Sequence, residues 1–292
     1  MKIGLSLSGG GVKGAAHIGV LKALEEKNIK IDSIAGTSSG SIVATLYVAG
    51  FNSDEIYFIF KKYCKKIKYV DWKNVLKLIG GLIFKRKIVI DGLNSGKEIE
   101  VLLNNMCRQK HLYNISDFKM PLIIPTVDIC NGKVVCFSSF KNEKRYLSNT
   151  VFINSMNIGK AVRASCSYPV VFSPSNFRDT KLIDGGIREN IPWRELKEIG
   201  TDKVLSVVFN DEIDGSCFNN IIDVASRSIN LLCKELANYE NLGTDYLLQI
   251  NSKKIGLLDM SKIDELYQIG YEEIKKCVNS LEFEKIFCSN VL

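Results

Sequence analysis

The sequence predicts an α/β protein built on a mainly parallel sheet. Two apolar runs, at 2–8 and 31–35, each lead into a glycine-rich turn and then a helical segment, giving two strand–turn–helix units within the first 50 residues. A later run, KVLSVVF at 203–209, reads as a further strand. Hydrophobic residues make up 46% of the 292, ample for a folded core.

The elements follow in order. Residues 2–8 form a strand that stops at Gly9-Gly10-Gly11. Residues 14–27, GAAHIGVLKALEEK, place Ile18, Leu21 and Leu24 on one helical face. Residues 31–35 form the next strand, and Ser39 to Ala49 a helix that closes near Gly50. Residues 54–110 read as a mostly helical insertion; its middle, LKLIGGLIFKRK at 76–87, is apolar around a Gly pair and ends in Lys85, Arg86 and Lys87. Strands return at 121–127 and 133–138, joined by Asn131-Gly132, which tolerates the positive φ of a hairpin turn. A helix is expected near 155–164, strands at 181–183 and 203–209, a long helix at 219–240 and a strand at 246–250. The C-terminal part is expected to be helical, with Ile263, Leu266, Tyr267, Ile274 and Val278 on one side. The expected organisation is a core over 1–210 carrying the 54–110 insertion, with a mainly helical extension over 211–292 packed on it.

Composition narrows the partners. With 39 Lys and Arg against 32 Asp and Glu, the net charge of +7 favours an anionic partner. The basic residues are dispersed apart from Lys61, Lys62, Lys65, Lys66 and Lys68, and no zinc-finger spacing, RNA-binding aromatic motif or basic tail appears, so no nucleic acid is expected. Nine cysteines, an odd number without a CxxC pair, point to free thiols in a reducing compartment. The first apolar run is too short for a signal peptide, and no run reaches the roughly 18 residues of a membrane span. The expectation is a cytoplasmic protein, with transient peripheral contact at an anionic membrane surface left open.

The chemistry centres on Gly36-Thr37-Ser38-Ser39-Gly40, which fits G-x-S-x-G between a strand and a helix. In that context Ser38 is either a nucleophile on a strained turn or part of a serine-rich helix cap. Gly9, Gly11 and Gly14 also spell a dinucleotide fingerprint, but the end of the second strand, where a ribose-binding carboxylate belongs, is occupied by the GTSSG turn, and Asp32 lies at the strand's start. The same glycines can instead aim backbone N–H groups into one small volume, as an oxyanion hole does, with Lys13 adding positive charge. A serine–histidine triad in hydrolase order, Ser then acid then His, is excluded, because the chain has only His17 and His111 and no histidine after residue 111. Asp184, before Gly185-Gly186, can take the serine proton directly, or it can simply close an Asx turn.

Four blocks in order, GGGVKG at 9–14, GTSSG at 36–40, AVRASCSYPVVFSP at 161–174 and DGG at 184–186, resemble the patatin-like phospholipases, over residues 3 to about 210. The resemblance implies a three-layer α/β fold and hydrolysis of lipid acyl esters through a Ser38–Asp184 dyad, without metal or cofactor. It makes Gly9, Gly10, Gly11 and Val12 the oxyanion loop, with Lys13, Gly14, Gly36, Gly40, Gly185 and Gly186 in support. Lys13 stands where the family usually carries Arg, which keeps the charge but loses the planar fork. Ser165 and Pro169 are assigned to the shape and wall of the site. The implied substrate is a phospholipid or other acyl-ester lipid, cleaved as by a phospholipase A or lysophospholipase. Segment 76–87 then reads as an interfacial flap or as a packed helical insertion. Two alternatives stand beside this reading: a carboxylesterase or thioesterase on non-membrane substrates, and a non-catalytic lipid-binding protein.

Overall fold

The computed structural model describes residues 1–64, 91–141, 147–210, 221–252 and 255–287. Its first half-sheet is set by β1 (Ile3–Leu7), α1 (Gly14–Glu26), β2 (Ser33–Gly36) and α2 (Ser39–Val48). Helices α3 (Ser53–Cys64) and α4 (Lys97–Arg108) follow, then β3 (Leu122–Asp128), β4 (Val134–Ser138) and β5 (Thr150–Ile153). Next come α5 (Ile158–Ser165), β6 (Ser175–Phe177), β7 (Thr180–Asp184), α6 (Trp193–Glu198) and β8 (Lys203–Phe209). The chain continues through α7 (Ile221–Glu240), β9 (Tyr246–Ile250), α8 (Ile263–Val278) and α9 (Leu281–Phe287).

The sheet order is β5-β4-β3-β2-β1-β8-β9, with β7 on β3 and β6 on β7. Strands β3, β2, β1, β8 and β9 pair in parallel, whereas β4 and β7 run antiparallel to β3. The sheet is therefore mixed and mainly parallel, as the sequence implies. The reason is visible in β1 and β8, whose interiors are buried on both faces and so require cover on each side. One face is covered by the large cluster that takes in α1, α2, α4, α5 and α8. The opposite face carries a thinner layer, where Leu196 and Trp193 of α6 pack on Ala35, Ile123 and Val204. These are the three layers of the fold.

Strand β3 positions the site. Its start pairs with β2 through Ile34↔Leu122 and Ala35↔Ile123, and its end pairs with β7 through Thr126↔Asp184. β2 ends at Gly36, so β7 takes over the vacated edge of β3 and delivers its last residue beside the turn that leaves β2.

The C-terminal part joins both sheet and helical layer. β9 extends the parallel edge from Leu205↔Tyr246 to Phe209↔Ile250. α8 crosses α1 with backbones nearly touching: a Cβ on Gly19 would collide with the Tyr267 carbonyl, and one on Gly270 with the Ala16 carbonyl. The short strands β5 and β6 were not apparent in the sequence, because their residues are half-buried or exposed and carry no clear alternation. Segment 76–87 and Lys65, Lys66 and Lys68 lie outside the described residues.

Candidate active site

Ser38 sits between β2 and α2 with φ 52 and ψ −121, a backbone conformation that costs an L-residue about 1–3 kcal/mol. Its side chain makes no capping bond to α2, so the helix-cap reading of this serine does not hold. The flanking glycines are required by close approach: a Cβ on Gly36 would strike the Gly40 carbonyl, and one on Gly40 the Leu7 carbonyl. The strain is held by a hydrogen-bond cage. Thr37 N–H donates to Leu7 O at 3.0 Å and Gly40 N–H to Thr37 O at 2.8 Å. Ser41 Oγ donates to Ser38 O at 2.6 Å, and Thr37 Oγ1 to Glu189 O at 3.0 Å. The Ser165 hydroxyl ties the turn to β3, accepting from Ser38 N–H at 3.0 Å and donating to Pro125 O at 2.7 Å.

Asp184 is 3% exposed at the end of β7. Its Oδ1 accepts Gly186 N–H at 2.8 Å, which is the Asx turn its sequence suggests, and Gly185 packs against the Pro125 carbonyl behind it. Its Oδ2 is buried without a hydrogen-bond partner. Burial pushes the carboxyl up to about 6, a rise that the Ser38 hydroxyl and the Gly186 N–H partly oppose. The hydroxyl thus lies close enough to favour the carboxylate without a fully formed hydrogen bond. Cys166 and Cys233 flank the pair, and burial raises both thiols, Cys233 to about 11.

The glycine loop runs past Ser38. Gly9 N–H donates to Asn190 Oδ1 at 2.9 Å, and Val12 N–H to Leu257 O at 2.8 Å. Gly10 and Gly11 N–H are left without an intramolecular acceptor among the described residues. Gly11, at φ 59, holds the left-handed conformation that turns the loop into Lys13 and Gly14 at the start of α1. Lys13 is buried, 3% exposed, and does not reach into solvent.

His17 is excluded as a base by its own bonding. Nε2 lies 2.8 Å from Ser8 O, and complete burial lowers the imidazole to about 4, so the neutral ring donates there. His111 is exposed after α4, away from the cavity. Among the described residues, no cluster of three or more His, Cys, Asp or Glu is placed to hold a metal ion. No described helix is long and apolar enough to cross a membrane.

Ser38 and Asp184 open on a cavity of about 570 Å³ with an apolar wall of Ile42, Phe60, Leu93, Ile99, Val171 and Phe172. Tyr168, Val171 and Phe172 line it and Pro169 does not: Phe172 N–H donates to Tyr168 O at 2.9 Å, closing a turn with Pro169 and Val170 at its tip. The assignment of Pro169 to the wall is therefore corrected to its neighbours. Asn190 and Tyr168 were not singled out in the sequence. Asn190 N–H also donates to both oxygens of the buried Glu240, at 3.2 and 3.1 Å, and Tyr168 Oη donates to Asn230 Oδ1 at 2.8 Å.

Fold and site together define an α/β protein with a strained serine turn between strand and helix, facing a buried carboxylate. The chain belongs to the patatin-like phospholipase family, whose model matches residues 5–197. It is 27% identical to "Lysophospholipase NTE1" of Scheffersomyces stipitis over 95% of this chain and 18% of that one. It is 32% identical to "Uncharacterized protein YqhO" of Bacillus subtilis over 65% of this chain and 66% of that one. The chain thus spans about a fifth of the length of the yeast lysophospholipases it matches. Among solved structures, VipD from Legionella pneumophila superposes with a TM-score of 0.51 at 17% identity, covering 95% of this chain and 66% of that one. The ExoU–SpcU complex of Pseudomonas aeruginosa gives 0.51 at 18% identity, covering 99% and 52%. At these identities the likeness is one of fold.

Proposed function

We propose that this chain is a serine acyl hydrolase of phospholipase A or lysophospholipase type, working through a Ser38–Asp184 dyad. The observation that carries the reading is the pairing itself: a serine on a strained turn, capping nothing, beside a buried carboxylate with one unpartnered oxygen. Family membership and the lysophospholipase names of its relatives support the substrate class.

Asp184 Oδ2 takes the Ser38 proton as Oγ attacks the ester carbonyl. Negative charge on the carbonyl oxygen is met by N–H groups of the glycine loop. Gly10 and Gly11 are the donors this reading assigns, since Gly9 and Val12 donate elsewhere; one such donor is worth about 2.7–4 kcal/mol in the transition state. Collapse of the tetrahedral adduct expels the alcohol or lysolipid, which receives the proton from Asp184. Water, deprotonated by Asp184, then cleaves the acyl-enzyme and restores Ser38. The apolar wall receives the acyl chain, and the cavity lies within the range usual for ligand sites.

Fluorophosphonate labelling with peptide mapping tests this. Label on Ser38, lost in Ser38→Ala and much slowed in Asp184→Asn, is the expected outcome. A folded protein whose Ser38 stays unlabelled with and without lipid vesicles overturns it in favour of a lipid-binding role.

A further inference from the structure

Asn190 is held from two sides. Its backbone N–H donates to both oxygens of the Glu240 side chain, at 3.2 and 3.1 Å, and its carboxamide oxygen accepts Gly9 N–H at 2.9 Å. The end of α7 is itself pinned, since Trp193 Nε1 donates to Glu240 O at 2.7 Å. One residue thus joins the last turn of α7, the chain after β7 and the glycine loop.

The bond to Gly9 also fixes which way the carboxamide faces. A backbone N–H can only donate, so the atom it meets is Oδ1, and Nδ2 with its donors is turned elsewhere. Oδ1 and Ser38 Cβ lie 3.0 and 3.1 Å from the point that a Cβ on Gly9 would occupy. Oδ1 and Asp184 Oδ1 lie 3.1 and 3.2 Å from the corresponding point on Gly186. The carboxamide therefore stands between the glycine loop and the Asp184 turn, beside the serine. Asn190 is half-buried and lines the cavity over Ser38. Its Nδ2 has no acceptor among the described residues, yet it is not sealed in the interior as Asp184 Oδ2 is.

We infer that the Asn190 carboxamide is a catalytic donor, its Nδ2–H bonding the oxygen of the tetrahedral adduct on Ser38 beside the Gly10 and Gly11 N–H groups. This rests on the acyl-hydrolase reading and adds a side-chain member to its oxyanion site. An alkoxide oxygen has three lone pairs, and the two backbone donors leave one unmet. The donor is held in place before substrate arrives, so no reorganisation is spent on it during reaction. Being neutral, it also leaves Asp184 its basicity, which a cation in the same place would draw down.

The test compares a soluble short-chain ester with its thionoester, which differ in C=O against C=S. Sulfur carries the developing negative charge but accepts hydrogen bonds weakly, so the ratio of the two kcat/KM values reads hydrogen bonding at that atom apart from charge. Asn190→Asp keeps Oδ1 for Gly9 N–H and exchanges Nδ2 for an oxygen; the assay is run at about pH 8, where a carboxyl has lost its proton. The expected result is a preference for the ester that falls about tenfold to a hundredfold in the variant, through kcat and with little change in KM. A variant that slows on both substrates alike, or on neither, overturns the inference and leaves Asn190 as a tie to Gly9 alone. Should the variant fail to fold, a crystal structure of wild type phosphonylated by a fluorophosphonate decides. Nδ2 within about 3.2 Å of the phosphonyl oxygen supports the inference, and Nδ2 beyond about 4 Å overturns it. A wild type that cleaves neither substrate and takes no label refutes the hydrolase reading instead, a separate outcome.

Discussion

Replacing Asp184 by Asn should abolish turnover and at the same time stabilise the fold. The carboxyl rises from an ordinary 3.8 to about 6 because it is buried among uncharged groups, with Oδ2 unpartnered. A folded-state pKa raised by about two units corresponds to about 3 kcal/mol lost when the group must ionise. The sign follows from linkage. Between the two values the native state holds a proton that the unfolded chain has released, so the group's stabilising contribution is full below about pH 4. It is lost as pH rises through about 6. Asn keeps an oxygen for the Gly186 N–H and carries no charge, so it escapes the penalty. Urea denaturation of both proteins from about pH 4 to about pH 8 should show the Asn variant gaining through that window, to about 3 kcal/mol, then running parallel. A difference that ignores pH, or an Asn variant less stable at neutral pH, would refute the argument that Asp184 is held against its own solvation. On the activity side, fluorophosphonate labelling of the wild type should rise about tenfold from about pH 5 to well above the Asp184 pKa of about 6.

Two further outcomes are expected. Asn190→Ala leaves Gly9 N–H without its acceptor and should lower kcat about tenfold to a hundredfold with little change in KM, because the glycine loop loses its tie while the acyl wall is intact; steady-state kinetics on a soluble ester read this. Gly270→Ala forces a Cβ into the Ala16 carbonyl and should cost about 1–3 kcal/mol or more in thermal unfolding, whereas Gly256→Ala, with open space around it, should fall within about 0.5 kcal/mol of wild type.

The parts of the fold and site that were legible in the sequence are those whose causes are local. G-x-S-x-G declares itself because Gly36 meets backbone four residues on, at Gly40, and because the strand and helix on either side are contiguous with it. The Asp184 turn is likewise closed two residues on. What stayed hidden depends on partners far along the chain. Asn190 reads as one polar residue in a loop until it is seen 181 positions from the Gly9 N–H it holds. The engagement of Val12 by Leu257, which reduces the available loop donors, comes from a segment with no motif of its own. Glu189, Glu195 and Glu240 look like ordinary surface charge, yet all are buried together behind Asn190, where burial, and for Glu195 also the neighbouring Glu240, raises Glu195 and Glu240 to about 7. Periodicity reports which face of an element is apolar. It carries no information about which charged residue the fold will cover.

The crossing of α1 on α8 has a consequence in time. α1 begins at the glycine loop, and the helix that braces it is laid down some 250 positions later in the chain than Gly19 is, with the Leu257 carbonyl just ahead of it. Contacts of such separation close late. During synthesis, Ser38 and then Asp184 emerge onto a sheet still missing its β9 edge, with neither Leu257 nor α8 yet behind the glycine loop. A half-made chain therefore holds the Ser38 turn and the glycine loop without the backbone that braces them, until α8 seats and the unit closes.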